Sequence, residues 1–589
     1  MDQRNLILAI VLSLAILLSF QFFIGEPQII QTEGTEQAAP QEAAKPGPPA
    51  AGPVGAPSPP AAPGQAAPAV PSDLTRAELI ANSPRVRIET PTLRGSISLA
   101  GGRIDDLTLT RYRESIEANS KQIVLLSPSG AAHPYFADFG WTSAQTKVRV
   151  PDATSTWQAD GEVLTPGRPV TLTWDNGQGL RFEIRFEIDQ HYLFTVTQRV
   201  VNESGQAVSL LPYGLVSRTG TPDVLGFYIL HEGLLGVFDG TLKEVDYSDL
   251  REEGVIQQET AGGWLGITDK YWLVALVPDQ KRPANTRFVH DARSGVDKYQ
   301  ADFLYQDVTV RPGGTAQVTS RLFAGAKEVI LLDAYRDDLG IARFDLAVDF
   351  GWFYFLTKPL FYALHHINRV LGNFGVAILV LTIGIKLLFF PLANKSYTAM
   401  AKMRKLQPEM MRLRDRFKDD KQRLNQEMMA LYRKEGANPM SGCLPIVIQI
   451  PVFFALYKVM FVTIEMRHAP FFGWIQDLSA PDPTSILNGF GLLPWTVPPL
   501  GPFEVLNLGI WPIVMGLTMF LQQRMNPQPP DPVQAKIFLF MPFIFTFLLA
   551  RFPAGLVVYW TWNNVLSILQ QYVIMRRAGV SVGRKAGTV

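Results

Sequence analysis

A lysine sits inside an apolar stretch long enough to cross a bilayer. Residues 372–392 read GNFGVAILVLTIGIKLLFFPL, and Lys386 is their one charged residue. A spanning helix needs about 20 mainly apolar residues, and a lysine near its middle costs about 2.5–3.5 kcal/mol on insertion scales. Such a charge faces a bundle interior or a water-filled cavity, unless its stem lifts the ammonium to the interface. The run ends at Leu392, roughly 9 Å further along a helix, so that second route is open on geometry. The other helices have to decide between the two.

The chain's 589 residues exceed one domain, and its net charge of +1 carries no global signal for nucleic acid. The single cysteine, Cys443, excludes an intrachain disulfide framework and any multi-cysteine metal site. The seven histidines form no ligand-spaced cluster. There is no H-E-x-x-H, no Walker loop and no pair of intramembrane carboxylates for a proton relay. These patterns predict no catalytic residues, no metal and no cofactor, and hence no enzyme.

Taken in order, residues 1–26 carry a long apolar run behind a short start with Arg4. No A-x-A site follows, which favours an uncleaved anchor over a signal peptide. Residues 27–73 are rich in Pro, Ala and Gly and read as a linker without a packed core. From 74 to 340 the pattern turns to period two, as in RFEIRFEID at 181–189, with a hairpin signal at Asn176-Gly177. That predicts a large antiparallel β-sandwich. Its Trp141, Trp157, Trp174, Trp264 and Trp272 are expected in the core rather than in a ligand groove. Residues 341–372 suggest an interfacial amphipathic helix, broken at Lys358-Pro359.

Beyond the 373–392 span, residues 393–442 hold twelve basic against six acidic residues. Met400, Met403, Leu406, Met410, Leu413 and Phe417 recur every three or four positions, and Leu424, Met428 and Leu431 follow suit. Two helices with apolar seams predict an antiparallel coiled-coil hairpin, its first arm disturbed at Pro408. Four further spans are expected at 443–464, 508–525, 537–550 and 555–575. Between them lie an acidic exterior loop at 465–507, a short connector at 526–536 and a basic tail at 576–589. Six spans with both termini in the cytoplasm satisfy the positive-inside rule at every basic segment.

Polar residues recur inside these spans. Thr382 stands one turn before Lys386. Gln449 lies in the span after the hairpin, and Gln522 near the cytoplasmic end of the next. Trp560, Asn564, Ser567 and Gln571 form a stripe on the last, with Tyr559, Asn563 and Gln570 beside them. Any one of these can be an ordinary inter-helix hydrogen bond. Together with a lysine they predict a hydrated cavity. A solute transporter, or a structural membrane anchor for the β-domain, would be compatible with the same spans.

Long C-terminal runs carry a specific resemblance: KSYTAMAKMRKLQPEM, DDKQRLNQEMMALYRKEGANPMSGCLPIVIQIPVFFALY, HAPFFGWIQDLSAPDP, MGLTMFLQQRMNP and RFPAGLVVYW. In these the chain resembles the Gram-negative branch of the Oxa/Alb/YidC insertase family. The resemblance implies a polytopic inner-membrane protein with six spans, a five-helix insertase core, a periplasmic β-sandwich and a cytoplasmic hairpin. It implies an ATP-independent insertase and chaperone, acting alone or with the Sec translocon, through a positively charged groove. That groove would be lined by Lys386, Thr382, Gln449, Gln522, Tyr559, Trp560 and Asn564. Hairpin contacts would come from Met400, Met403, Arg404, Lys405, Met410, Arg412 and Arg416. Implied partners are nascent membrane proteins, the Sec translocon, the ribosome at the basic hairpin and tail, and membrane lipids, with the monomer as the active form. The chain departs from the family in three places. Lys386 stands where arginine is usual, keeping the charge without the forked donors. Trp560 follows Tyr559 where some relatives carry a second tyrosine, and the exterior loop is longer around 488–506.

Overall fold

A computed structural model describes residues 74–579, except 144, 146–147, 225–229, 294, 418–419, 437–443, 496, 498–505 and 527–531. The expected anchor at 1–26, the linker at 27–73, Cys443 and the tail beyond 579 lie outside the described residues.

Strand Leu180–Ile188 shows how the period-two pattern becomes a sheet. Its apolar side chains alternate inward, and Phe182, Ile184 and Phe186 are fully buried. The strand pairs antiparallel with Val170–Asp175 on one side and Leu193–Asn202 on the other. The hairpin expected at Asn176-Gly177 joins the first of these pairs through residues 176–179. Gly177 takes φ +69°, and the Asn176 side-chain oxygen accepts from the N–H groups of Gln178 and Leu180 at 2.7 and 3.0 Å. Among the described residues, an eleven-stranded and a nine-stranded sheet share one hydrophobic core. Trp141, Trp157, Trp174 and Trp264 are buried in it, while Trp272 is half-buried edge-on to Tyr112.

Two short helices, α1 (Arg76–Ala81) and α2 (Tyr247–Glu253), accompany the sheets, and α3 (Val329–Leu339) follows the last strand. The amphipathic helix α4 (Tyr354–Leu371) is not broken at Lys358-Pro359. Pro359 falls early in the helix, where its missing N–H removes a single backbone bond. Thr357, Phe361 and Leu364 are buried, while Phe355 and Val370 are exposed. Gly372 ends α4 in the left-handed region, and the Asn373 side chain then caps α5 (Phe374–Leu388) by accepting from the Val376 N–H at 3.0 Å.

Helix α5 bends by 68° into α6 (Phe390–Arg416), at a point where Pro391 cannot carry the hydrogen-bond ladder on. With α7 (Lys421–Lys434), α6 makes a two-arm unit whose seam holds Leu406, Met410 and Met428. Pro408 sits inside α6, which runs through it without a break. The remaining helices are α8 (Leu444–Val462), α9 (Ile510–Met525), α10 (Pro532–Leu549) and α11 (Ala554–Arg577). Helix α10 starts before the expected position 537, with Pro532 at its first turn, a place proline favours. No single described helix is both long and apolar enough to cross a membrane; α5 and α6 pass only as a bent pair.

Side chains that the linear pattern does not connect join the β-domain to the helices. Lys358 Nζ donates to Asp333 Oδ1 at 2.6 Å and Asp345 Oδ2 at 2.8 Å, and Tyr362 and Tyr354 donate to the same two carboxylates. Lys458 on α8 pairs with Asp349 at 2.7 Å. Glu465 Oε1 accepts from the Val329 N–H at 3.1 Å, at the start of α3. Its other oxygen is buried with no partner among the described residues. Burial pushes the Glu465 carboxyl up from 4.5 to about 7. The folded protein therefore holds this proton where the unfolded chain has lost it, and stability falls as pH rises from 4.5 through 7. A melting midpoint that drops across this window, and flattens in Glu465→Gln, is the expected result in a thermal unfolding series. A wild-type slope retained in Glu465→Gln would assign the pH dependence elsewhere.

Candidate functional site

Three helices meet at Lys386. It lies in the last turn of α5, and its Nζ donates to Ser567 Oγ of α11 at 2.7 Å and to Gln449 Oε1 of α8 at 3.4 Å. Gln449 is itself tied at its other end. Its Nε2 donates to Asn563 Oδ1 at 2.7 Å and to the Tyr559 hydroxyl at 3.4 Å. Ser567 Oγ donates in turn to the Asn563 carbonyl at 2.7 Å. Both partners of the ammonium are neutral, and no ion pair to Lys386 occurs among the described residues. A lysine has three N–H donors. Two are engaged here, and a cavity of about 50 Å³ adjoins the side chain, lined also by Tyr397, Val452 and Gln570. At the roughly 30 Å³ a water takes up in the liquid, that volume has room for about one or two waters. Gln570 Oε1 is buried without a partner among the described residues.

The other expected groove residues go to different places. The Thr382 hydroxyl is buried and donates back to the Ile378 carbonyl at 2.6 Å, away from the lysine network. Asn564 Nδ2 donates to Thr518 Oγ1 at 3.1 Å, and Gln571 Nε2 to Asn526 Oδ1 at 3.1 Å. The polar stripe on α11 therefore divides: Asn564 and Gln571 reach towards α9, and Ser567 reaches Lys386. Gln522 is half-buried on α9 and does not line the cavity. Tyr559 is buried and acts on Gln449, and the Trp560 ring lies 4.6 Å from that of Phe453 and 6.0 Å from that of Phe545. Ser567 in the stripe, and Asn563 and Gln570 beside it, are singled out only once the neighbour of each face is known. Tyr397 gave no sequence signal.

The expected hairpin contacts divide as well. Met400 is buried against Ile574 and Met575, and Met410 lies in the seam between the arms with Met403 beside it. Arg404 Nη1 donates to the Met525 carbonyl at 3.3 Å and Lys405 Nζ to the Ala578 carbonyl at 2.9 Å. These two cations cap the C-terminal ends of α9 and α11, where a helix presents its negative pole. Arg412 and Arg416 are exposed, as are Met411 and Met429. No group of three or more His, Cys, Asp or Glu fit to hold a metal ion occurs among the described residues.

Two family models match the chain: the YidC periplasmic domain over residues 85–363 and the 60Kd inner membrane protein over 366–580. The membrane protein insertase YidC of Methylobacterium nodulans is 54% identical, over 99% of this chain and 96% of its own length. That of Bradyrhizobium diazoefficiens is 51% identical, over 99% and 97%. A crystal structure of an active YidC insertase with its first transmembrane domain resolved is similar at a TM-score of 0.35 and 17% identity, covering 83% of this chain and 93% of that one. On the strength of identity above one half along nearly the whole sequence, the chain belongs to the YidC family of membrane protein insertases.

Proposed function

We propose that this bacterial inner-membrane protein inserts its substrates through the polar network around Lys386. The observation that carries this reading is an ammonium held between two neutral groups beside a water-sized cavity. The cavity lowers the cost of drawing a substrate's polar exterior tail partway into the bilayer, and Lys386 attracts acidic residues in that tail. Gln449, Tyr559 and Asn563 position the lysine. The substrate helix leaves sideways past exposed apolar side chains such as Leu387, Leu388 and Leu569 and the aromatic surface around Trp560. Six spans, with both termini in the cytoplasm and the β-domain in the periplasm, form the frame. The protein acts as a monomer, alone or beside the Sec translocon.

The α6–α7 hairpin receives emerging apolar segments on exposed Met411 and Met429, methionine being adaptable to many shapes. Its exposed Arg412 and Arg416 meet ribosomal RNA or anionic lipid. The double change Arg412→Glu with Arg416→Glu lowers co-sedimentation with translating ribosomes by about threefold or more at low salt, and the difference shrinks at high salt. Equal binding at low salt would remove these arginines from the contact. The function itself is tested with purified protein in proteoliposomes and a single-span substrate bearing a short acidic tail. Protection of that tail from external protease above the level of empty vesicles is expected. Equal protection in both would overturn the reading.

A further inference from the structure

The exterior loop before α9 carries a surface that insertion does not use. No charged residue stands between Asp482 and Glu504. Within that stretch Ile486, Leu487, Phe490, Leu492, Leu493 and Trp495 are all exposed, Leu492 at 88%. A solvated loop of this length would ordinarily carry polar side chains, and a protein-docking patch a polar rim.

The backbone of this segment is largely satisfied from within. The Phe490 N–H donates to the Ser485 carbonyl at 2.6 Å, and the Leu493 N–H to the Asn488 carbonyl at 3.0 Å. The Asn488 and Ser485 side chains accept from the N–H groups of Gly491 and Leu487 at 3.0 and 3.1 Å. The Trp495 indole donates to the Leu487 carbonyl at 3.3 Å, and its side chain is 52% exposed. Internal satisfaction is what a segment needs where lipid replaces water. Three consecutive residues, Gly489, Phe490 and Gly491, take positive φ, and Phe490 holds that conformation against its side chain's preference.

The loop is also fixed in place. Asp482 accepts from the Trp511 N–H at 2.9 Å and the Trp474 indole at 3.1 Å, and Thr484 Oγ1 accepts from the Ile510 N–H at 2.9 Å. The Ile486 N–H donates to the Leu508 carbonyl at 2.8 Å. These bonds hold the loop at the N-terminal end of α9. Leu517 and Leu521 of α9 and Phe540 and Phe543 of α10 are exposed apolar side chains too.

We propose that residues 485–495 are an interfacial anchor lying in the outer leaflet of the bilayer, with Trp495 at headgroup level and Leu492 below it. The inference rests on the reading that α9 spans the membrane and that 465–507 faces the periplasm. A tryptophan within an apolar segment that carries no charge of its own, held beside the end of a span, is the chemistry of a membrane interface. The anchor would fix the exterior end of α9 while substrates pass α5 and α11.

The test uses the full chain with Cys443→Ser and Leu492→Cys, labelled with an environment-sensitive fluorophore and reconstituted into vesicles. Blue-shifted emission is expected, quenched more by lipids spin-labelled near the headgroup than near the chain end, and little by iodide. Emission as in water, quenched by iodide, would overturn the anchor. So would blue-shifted emission insensitive to both lipid probes, which would mean a protein contact. A second variant, Cys443→Ser with Gln476→Cys, separates the two readings. Labelling of this exposed position by an impermeant maleimide in spheroplasts keeps the exterior placement standing even if the anchor fails. No labelling would overturn the placement and the anchor with it.

Discussion

Lys386→Glu stops insertion of single-span substrates with short acidic tails, Lys386→Ala slows it by about tenfold, and Lys386→Arg preserves it. The ordering follows from the lysine's surroundings. Its ammonium touches only Ser567 Oγ and Gln449 Oε1, so none of its charge is cancelled by a protein carboxylate among the described residues. A carboxylate approaching to 4 Å would gain on the order of 4 kcal/mol at an effective dielectric of 20, and tenfold in rate needs only about 1.4 kcal/mol of that. Alanine removes the attraction and leaves Gln449 its bonds to Asn563 and Tyr559. Glutamate adds repulsion towards acidic tails and faces the Gln449 oxygen. Arginine brings a fork able to hold Ser567 and an incoming carboxylate together. The measurement is protease protection of the tail, run in parallel on a substrate with a neutral tail. Loss with both tails alike would point to a structural role for Lys386; no loss in Lys386→Ala would remove the attraction from the mechanism.

The second large effect lies at the junction of the β-domain and the helices. Lys358→Met lowers stability by about 3 kcal/mol, because it strands two carboxylates that are largely shielded from water. The Asp333 and Asp345 side chains are each 8% exposed, and Lys358 bonds both. Arg336 stays within 2.9 and 3.1 Å of the two, which keeps the loss below that of a wholly unpaired charge. For a domain of this size the expected fall in melting temperature is roughly 6–12 °C. Asp345→Asn added to Lys358→Met recovers part of it, since an amide tolerates the loss of the cation. An unchanged melting temperature in Lys358→Met would show that the junction is held by apolar packing alone.

How legible these features are in the sequence depends on how local they are. Alternation in RFEIRFEID reports the two faces of one strand, and the strand buries Phe182, Ile184 and Phe186 accordingly. Spacing by three and four along 403–431 reports the seam between α6 and α7 in the same way, while Met400, on the same spacing, meets α11 instead. Spacing names a face but not the neighbour that the face meets. Asn564 and Gln571 share a stripe with Ser567, yet they bond across to Thr518 and Asn526. Thr382 shares a face with Lys386, but its hydroxyl is satisfied one turn back on its own helix. Arg404 and Lys405 read as contact residues of the hairpin, and spacing alone does not show that the ends of α9 and α11 come within their reach. Pro359 and Pro408 signal breaks, but each removes only one backbone bond, and the helices run on. The Lys358–Asp333–Asp345 cluster has no local pattern, because it joins a strand-following helix to an amphipathic one.

Site-specific crosslinking from positions 386 and 560 to a nascent single-span membrane protein, trapped during insertion, tests the central claim most directly. Crosslinks from 386 to the acidic tail and from 560 to the apolar segment behind it are the expected result. A substrate that reaches the membrane yet crosslinks to neither position would contradict the Lys386 network as its route.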